Sequence, residues 1–369
     1  SDSRYRRHPD SGPGTPPGSD RPGRGVGVPE SPVDRPPRCF RWAATALGWQ
    51  TRRMAVETKA NRGPTALVAA ALAGISLLVA SCSPPATNPD GTVPQSPPFG
   101  VNGVVEDPDP ATPGVWIADL FGQQMVRFDP DTGTIEERYG MAEGLCGTDD
   151  IAVMPDASLV ATCPTSGLVV RVPRGGTADV LDAVGRGANP IVAHPHGDSV
   201  LVGFGTEERD ELLRVYTDGR ATEVVADDLP VLNGFGFGPD GLLYVPTGGA
   251  GGLLGTGGLG TIDITTGTFS EIPLAFSQPG KTGFDFACGT DVAPDRTVFV
   301  AQCANAAAYA VDPSTGAAEF VGRAATDFVD NVVRLTDGRV LLSSFFGGTA
   351  TVFTPNGAGW DRSLLAIGS

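Results

Sequence analysis

One pattern recurs six times between residue 100 and the C-terminus, and it restricts the chain to very few architectures. A polar residue is followed six positions later by a turn residue and then by a short apolar run. The turn residues are Pro108, Pro155, Pro195, Pro239, Pro294 and Thr336. The runs after them are Val115-Trp116-Ile117, Leu159-Val160-Ala161, Val200-Leu201-Val202, Leu242-Leu243-Tyr244, Val298-Phe299-Val300 and Val340-Leu341-Leu342. The fourth copy is the clearest: Pro239-Asp240-Gly241 reads as a tight turn between two strands. A second hairpin closes each unit, as in Phe128-Asp129-Pro130-Asp131-Thr132-Gly133. Its glycines fall at 133, 176, 219, 267, 316 and 357, with gaps of 43, 43, 48, 49 and 41.

Two hairpins per unit mean about four short strands per unit. The reading is an all-β fold, a six-bladed β-propeller of four-stranded blades over residues 100–369. Closing six sheets into a ring hides most strand edges and suits short strands joined by glycine-rich turns. A parallel β-solenoid is the alternative, but its repeats would be shorter. A seventh blade would need a unit that is not found. Residues 360–367 complete the sixth unit as an outer strand, so ring closure does not require a borrowed strand, although 91–99 could supply one.

The chain before the repeats has a different character. Residues 1–53 hold 9 Pro, 7 Gly and 10 Arg with no apolar period, the composition of a disordered leader. Met54 is the first methionine and is expected to be the true translation start. Lys59 and Arg62 then precede an apolar run at 65–80, too short to span a bilayer comfortably and right for a signal segment. Val79-Ala80-Ser81-Cys82 resembles the lipobox of bacterial lipoproteins, in which the cysteine is acylated and becomes the mature N-terminus. The expected organisation is therefore a leader (1–53), a lipoprotein signal peptide (54–81), a tether (82–99) and the propeller. That resemblance implies export, with a membrane anchor at Cys82 on the outer face of the bacterial cytoplasmic membrane.

Charge separates the same two regions. Residues 1–81 carry 12 Lys and Arg against 6 Asp and Glu, whereas 82–369 carry 14 against 36. A domain this acidic repels nucleic acid, so no nucleic-acid partner is expected.

The polar residues that open each repeat are Asn102, Asp149, Asn189, Asn233, Cys288 and Asp330. In a propeller the innermost strands line a central channel, so equivalent positions converge on one axis. Five oxygen-bearing side chains without an imidazole suit a hard cation, Ca2+ or Mg2+. Asn102, Asp149, Asn189, Asn233 and Asp330 are the candidate metal ligands, and Asp149 and Asp330 the candidate catalytic carboxylates. Asn and Asp also favour turns by bonding nearby backbone, so turn chemistry is the competing account of the same residues.

Asn233-Gly234, Pro239-Asp240-Gly241 and Tyr244 together resemble the signature of the senescence-marker-protein/gluconolactonase family. That family is six-bladed, binds calcium or another divalent cation in the channel, and hydrolyses sugar lactones. The resemblance places its metal-binding asparagine on Asn233, its acidic ligand and general base on Cys288, and its first-blade glutamate on Asn102. One ligand of three is retained. Trp116-Ile117-Ala118-Asp119 with 126–133 is similar to a blade of the streptogramin-lyase and NHL-type propellers.

Four cysteines lie in the repeats. Cys288 and Cys303 are centred on the Pro294-Asp295-Arg296-Thr297 turn, so they face each other on paired strands; Cys146 and Cys163 are offset by about two residues in a similar hairpin. An exported chain meets an oxidising compartment, and two disulfides are expected. His194 and His196 sit on a turn away from the expected channel, the wrong place for streptogramin-lyase-type chemistry. Residues 248–260 contain eight glycines and form an insert in the fourth blade, loose or lid-like. Phe284, Phe286, Phe345 and Phe346 line either a pocket or the core.

Three functions fit: a surface propeller binding a small molecule or a protein, a metal-dependent lactone or ester hydrolase, and a quinone-type cofactor enzyme. The last is disfavoured by the scarcity of basic and histidine residues.

Overall fold

The computed structural model describes residue 84 and residues 86–368, apart from 110–112, 207, 249–255, 327 and 358. Met54, the apolar run, Cys82 and the leader lie outside the described residues, as do Leu253 and Leu254 of the glycine insert.

Six sheets, antiparallel in their four main strands, follow one another along the chain. The first blade is β1 (Val101–Glu106), β2 (Val115–Asp119), β3 (Gln124–Phe128) and β4 (Ile135–Tyr139). The second is β5 (Ile151–Val153), β6 (Leu159–Cys163), β7 (Leu168–Val172) and β8 (Asp179–Ala183). The third is β9 (Ala188–Ala193), β10 (Ser199–Phe204), β11 (Leu212–Tyr216) and β12 (Glu223–Ala226). The fourth is β13 (Gly236–Phe237), β14 (Leu243–Thr247), β15 (Thr256–Asp263) and β16 (Thr268–Ile272). Two short strands come next, β17 (Ala275–Phe276) and β18 (Phe284–Asp285). The fifth blade is β19 (Ala287–Val292), β20 (Val298–Gln302), β21 (Ala307–Val311) and β22 (Ala317–Arg323). The sixth is β23 (Val329–Arg334), β24 (Val340–Ser344), β25 (Thr349–Pro355) and β26 (Trp360–Ala366).

The hydrophobic gradient within each blade explains this order. Second strands such as β2 and β10 are buried along their whole length, because a neighbouring blade covers each face. Outer strands such as β8 are largely exposed and carry charge. Among the described residues one apolar cluster lies between each pair of adjacent blades, and a smaller one gathers Leu120, Phe121 and Phe345. Val101, Val104 and Ile117 of the first blade pack with Val333, Leu341 and Val352 of the sixth, which closes the ring. Trp116 and Tyr139 of the first blade meet Leu159 and Val172 of the second in the next cluster. The six-bladed reading is thus what forms, with each blade built from its own four strands.

The segment expected to be a free tether is docked over its last residues. Gln95 exchanges two hydrogen bonds with the backbone of Ile135, at 2.7 and 2.9 Å. The buried Arg138 donates to the carbonyls of Pro94 and Ser96. Asp119, fully buried, accepts from the backbone of Phe99, Gly100 and Gly122 and from Gln124. The acid of the Trp-Ile-Ala-Asp motif is therefore a clamp that steers the chain into β1.

Part of the glycine insert is also ordered sheet. Residues 256–260 belong to β15, which pairs with β14, and Gly257 lies opposite Phe284 of β18. Without side chains, the glycines admit these close backbone approaches.

Candidate functional site

Antiparallel connectivity sorts the molecule into two faces. The first strands begin, and the second-to-third loops lie, on the upper face. The Pro-Asp-Gly turns and the second hairpins lie on the lower one. All six repeat-opening residues stand where β1, β5, β9, β13, β19 and β23 begin, or within two or three residues of it, at the upper mouth of the channel.

The backbone is bent at this level. Register shifts interrupt the inner pairings at Val101/Val104, Val202/Phe204, Ala287/Gly289 and Val329/Val332. Such bulges re-aim side chains in the first, third, fifth and sixth blades. The residues after the ring positions are Gly103, Asp150, Pro190, Gly234, Gly289 and Asn331. Three are glycine because neighbouring inner strands touch: the Gly103 N–H donates to the Asp149 carbonyl at 2.7 Å, and the Thr290 N–H to the Gly234 carbonyl at 2.7 Å. A Cβ on Gly103 would stand 2.1 Å from Asp150 Oδ1, and one on Gly289 2.0 Å from Asn331 Oδ1.

Asn102 and Asp149 meet directly, with Asn102 Nδ2 donating to Asp149 Oδ1 at 2.5 Å. Asn102 is only 3% exposed, and its Oδ1 has no hydrogen-bond partner among the described residues. One step below, Asp150 accepts from the Ile151 and Ile191 backbones and, across the channel, from Asn331 Nδ2 at 3.4 Å. Asp330 is half-buried beside them. Burial pushes the Asp149 carboxyl up to about 7, against the lowering effect of a hydrogen bond from Asn189. Asp150 is raised by burial and by the charge of Asp149, against its two backbone bonds. Asp330 is raised by burial and then by Asp149 and Asp150. The mouth is a desolvated acidic centre that positive charge would stabilise.

The expected ring is thus assembled only in part. Asn102, Asp149, Asn189 and Asp330 converge. Asn233 turns its Oδ1 to the Gly234 N–H at 3.0 Å, the turn chemistry that competed with ligation. Cys288 forms a disulfide with Cys303, and Cys146 with Cys163, as the spacing predicted. The position on which the resemblance places a general base is therefore occupied by a disulfide sulfur. Asp150 and Asn331 are members that sequence reasoning missed. The small residues following three ring positions were the available signal, since they mark where a neighbour's side chain crosses the axis. His194 and His196 lie on the lower face, where the His196 N–H donates to His194 Nδ1 at 3.1 Å.

The four phenylalanines divide. Phe284 is core, packed on Phe276 and Tyr309. Phe345 is buried edge-on against Phe121 at 5.5 Å. Phe286 is half-buried and Phe346 is 50% exposed, both beside Phe328 on the upper rim.

The donor chemistry fits a hard cation: carboxylates, amides and an unpartnered amide oxygen. Among the described residues, no three His, Cys, Asp or Glu side chains stand close enough to hold a metal by themselves. Asn102 and water would have to complete any such site.

No protein-family model matches this sequence, and no curated protein matches it. Solved structures do match in fold. A gluconolactonase from Xanthomonas campestris aligns with a TM-score of 0.53 at 16% identity, over 77% of this chain and 96% of that one. Virginiamycin B lyase from Staphylococcus aureus aligns at 0.51 and 14%, over 73% and 85%. A calcium-binding regucalcin from Agrobacterium tumefaciens aligns at 0.50 and 15%, over 68% and 83%. At such identities the likeness shows a shared β-propeller fold and nothing narrower.

Proposed function

We propose that this protein is an exported, lipid-anchored β-propeller that binds a ligand at the upper mouth of its channel through a cation-receiving centre. Asn102, Asp149 and Asp330 form that centre, with Asn189 supporting Asp149. The observation that carries the reading is the buried Asn102 Oδ1, without a partner among the described residues, beside carboxyls that no described cation offsets. Unsatisfied buried acceptors are costly, and a cation relieves both problems at once. A divalent ion bound there, Ca2+ or Mg2+, would screen the carboxylates and hold a ligand oxygen. Calorimetric titration of the purified protein with CaCl2 and MgCl2 tests this. Saturable binding that disappears in Asp330→Asn supports it, and no heat with either ion sinks it. The anchor is tested separately: Cys82→Ala should release the protein from membranes, and retention would overturn that part.

A second reading is a lactone or ester hydrolase. It is favoured by Asp149, whose carboxyl at about 7 lies in the range of a general base. Water would add to the ester carbonyl as Asp149 takes its proton, and the proton would return to the departing alkoxide. Turnover of a sugar lactone, lost in Asp149→Asn, would establish it. Its cost is the absence of the family's acids at Asn102 and Cys288.

A further inference from the structure

The upper rim is asymmetric. Two residues before the six ring positions stand Gly100, Gly147, Gly187, Val231, Phe286 and Phe328. Glycine overlies the first three blades, and phenylalanine the last two. Phe286 adopts φ of +59°, a conformation in which glycine carries no Cβ penalty and phenylalanine does. It is held there: its carbonyl accepts from the Cys303 N–H at 2.9 Å, and Cys303 is bonded to Cys288. A strained residue that its surroundings over-determine points to a role for its side chain. The Phe286 ring meets Phe328 at 6.2 Å, and Phe328 meets Phe346 at 6.4 Å. This aromatic wall has no part in binding a hydrated metal ion.

We infer that the mouth receives the primary ammonium group of a small molecule with an apolar or aromatic substituent. The three N–H donors of the ammonium match three acceptors, Asn102 Oδ1 and the carboxylates of Asp149 and Asp330. The substituent lies against Phe286, Phe328 and Phe346. The excess of acidic residues in 82–369 draws such a ligand in. This deepens the cation-receiving reading above and rests on it.

The test titrates the purified protein at pH 7.5 with 2-phenylethylammonium, with uncharged 2-phenylethanol, and with CaCl2. The ammonium is expected to bind at least tenfold more tightly than the alcohol, to compete with Ca2+, and to be lost in Asp330→Asn. Phe328→Ala should weaken it about tenfold and leave Ca2+ binding unchanged. If that variant melts below the assay temperature, Phe328→Leu and the exposed-site Phe346→Ala replace it, each with a severalfold loss expected. Calcium binding without ammonium binding overturns this inference and leaves the cation reading standing. Binding of neither overturns both. Equal affinity for the alcohol, or ammonium binding untouched by Asp330→Asn, also overturns it.

Discussion

The two faces of the propeller use aspartate in opposite ways. On the lower face Asp156, Asp218, Asp263, Asp295 and Asp312 sit in the hairpin turns and accept from backbone N–H groups two residues on. These carboxyls are held below the ordinary range, Asp156, Asp218 and Asp312 mainly by side-chain hydrogen bonds from Ser158, Arg220 and Ser314, and Asp263 and Asp295 mainly by the backbone bonds. On the upper face Asp149, Asp150 and Asp330 are desolvated and crowded, and are raised. Asp291, lower on β19, is raised to about 6 by burial despite two backbone bonds. The same side chain is a turn cap where water reaches a hairpin and is disfavoured as a charge where the channel mouth crowds and desolvates it.

That contrast can be broken most easily with pH. A raised folded-state pKa gives stability that is complete below the unfolded value and is lost as pH rises through the folded one. For Asp149 and Asp291 the window runs from the ordinary 3.8 to about 7 and about 6. In chelator, unfolding free energy should fall between pH 5 and pH 8, by on the order of 4 kcal/mol. The lowered turn aspartates act oppositely, so stability should also fall below about pH 4. A flat profile from pH 5 to 8 would mean that the upper carboxyls are hydrated.

Glycines sharpen the comparison next. Gly289→Ala places a Cβ 2.0 Å from Asn331 Oδ1 and should cost about 3 kcal/mol or more in urea denaturation. Gly219→Ala, on the lower face, meets nothing within 4 Å but keeps φ of +84° and should cost about 1 kcal/mol. The first glycine exists for space and the second for conformation; equal losses would erase the distinction.

Removing one upper charge should stabilise. Asp330→Asn removes a carboxylate disfavoured first by burial and then by Asp149 and Asp150, and at pH 8 in chelator a gain of about 1–2 kcal/mol is expected, shrinking toward zero at pH 4. A loss at pH 8 would show that the carboxylate has an attractive partner. The smallest effect belongs to the lower face. Ala157 and Arg296 hold the left-handed position that Gly241 takes in the fourth blade, at φ of +62° and +74°. Ala157→Gly should gain about 0.5 kcal/mol, strain relief partly offset by unfolded-chain entropy, read as a small rise in melting temperature.

The blades were legible because each is local. Pro239-Asp240-Gly241 and its five echoes set hairpins within a dozen residues, and buried runs such as 115–119 announce strands covered on both faces. The 288/303 disulfide was legible for the same reason, as two cysteines equidistant from one turn. β17 and β18 were not, because each is two residues long and pairs far along the chain, with β22 and β15. Docking of Gln95 on Ile135 was hidden likewise, since proline-rich sequence reads as spacer until a partner 40 residues away presents its backbone.

Sequence alone determined the number of blades, the face on which each turn lies and the six positions aimed at one axis, because repeat period and turn chemistry act over a few residues. Only the tertiary structure decided which of those positions act together. Asp150 and Asn331 joined Asn102, Asp149, Asn189 and Asp330 because glycines at 103 and 289 left room for their side chains, and a bulge between Val329 and Val332 bends the strand that carries Asn331. Asn233 turns its Oδ1 to the next backbone N–H, as Asn331 does, and Cys288 is bonded to Cys303. Convergence on an axis joins residues up to 181 positions apart, as in the Asn331–Asp150 bond, and no local pattern records which of them keep an atom free for a ligand.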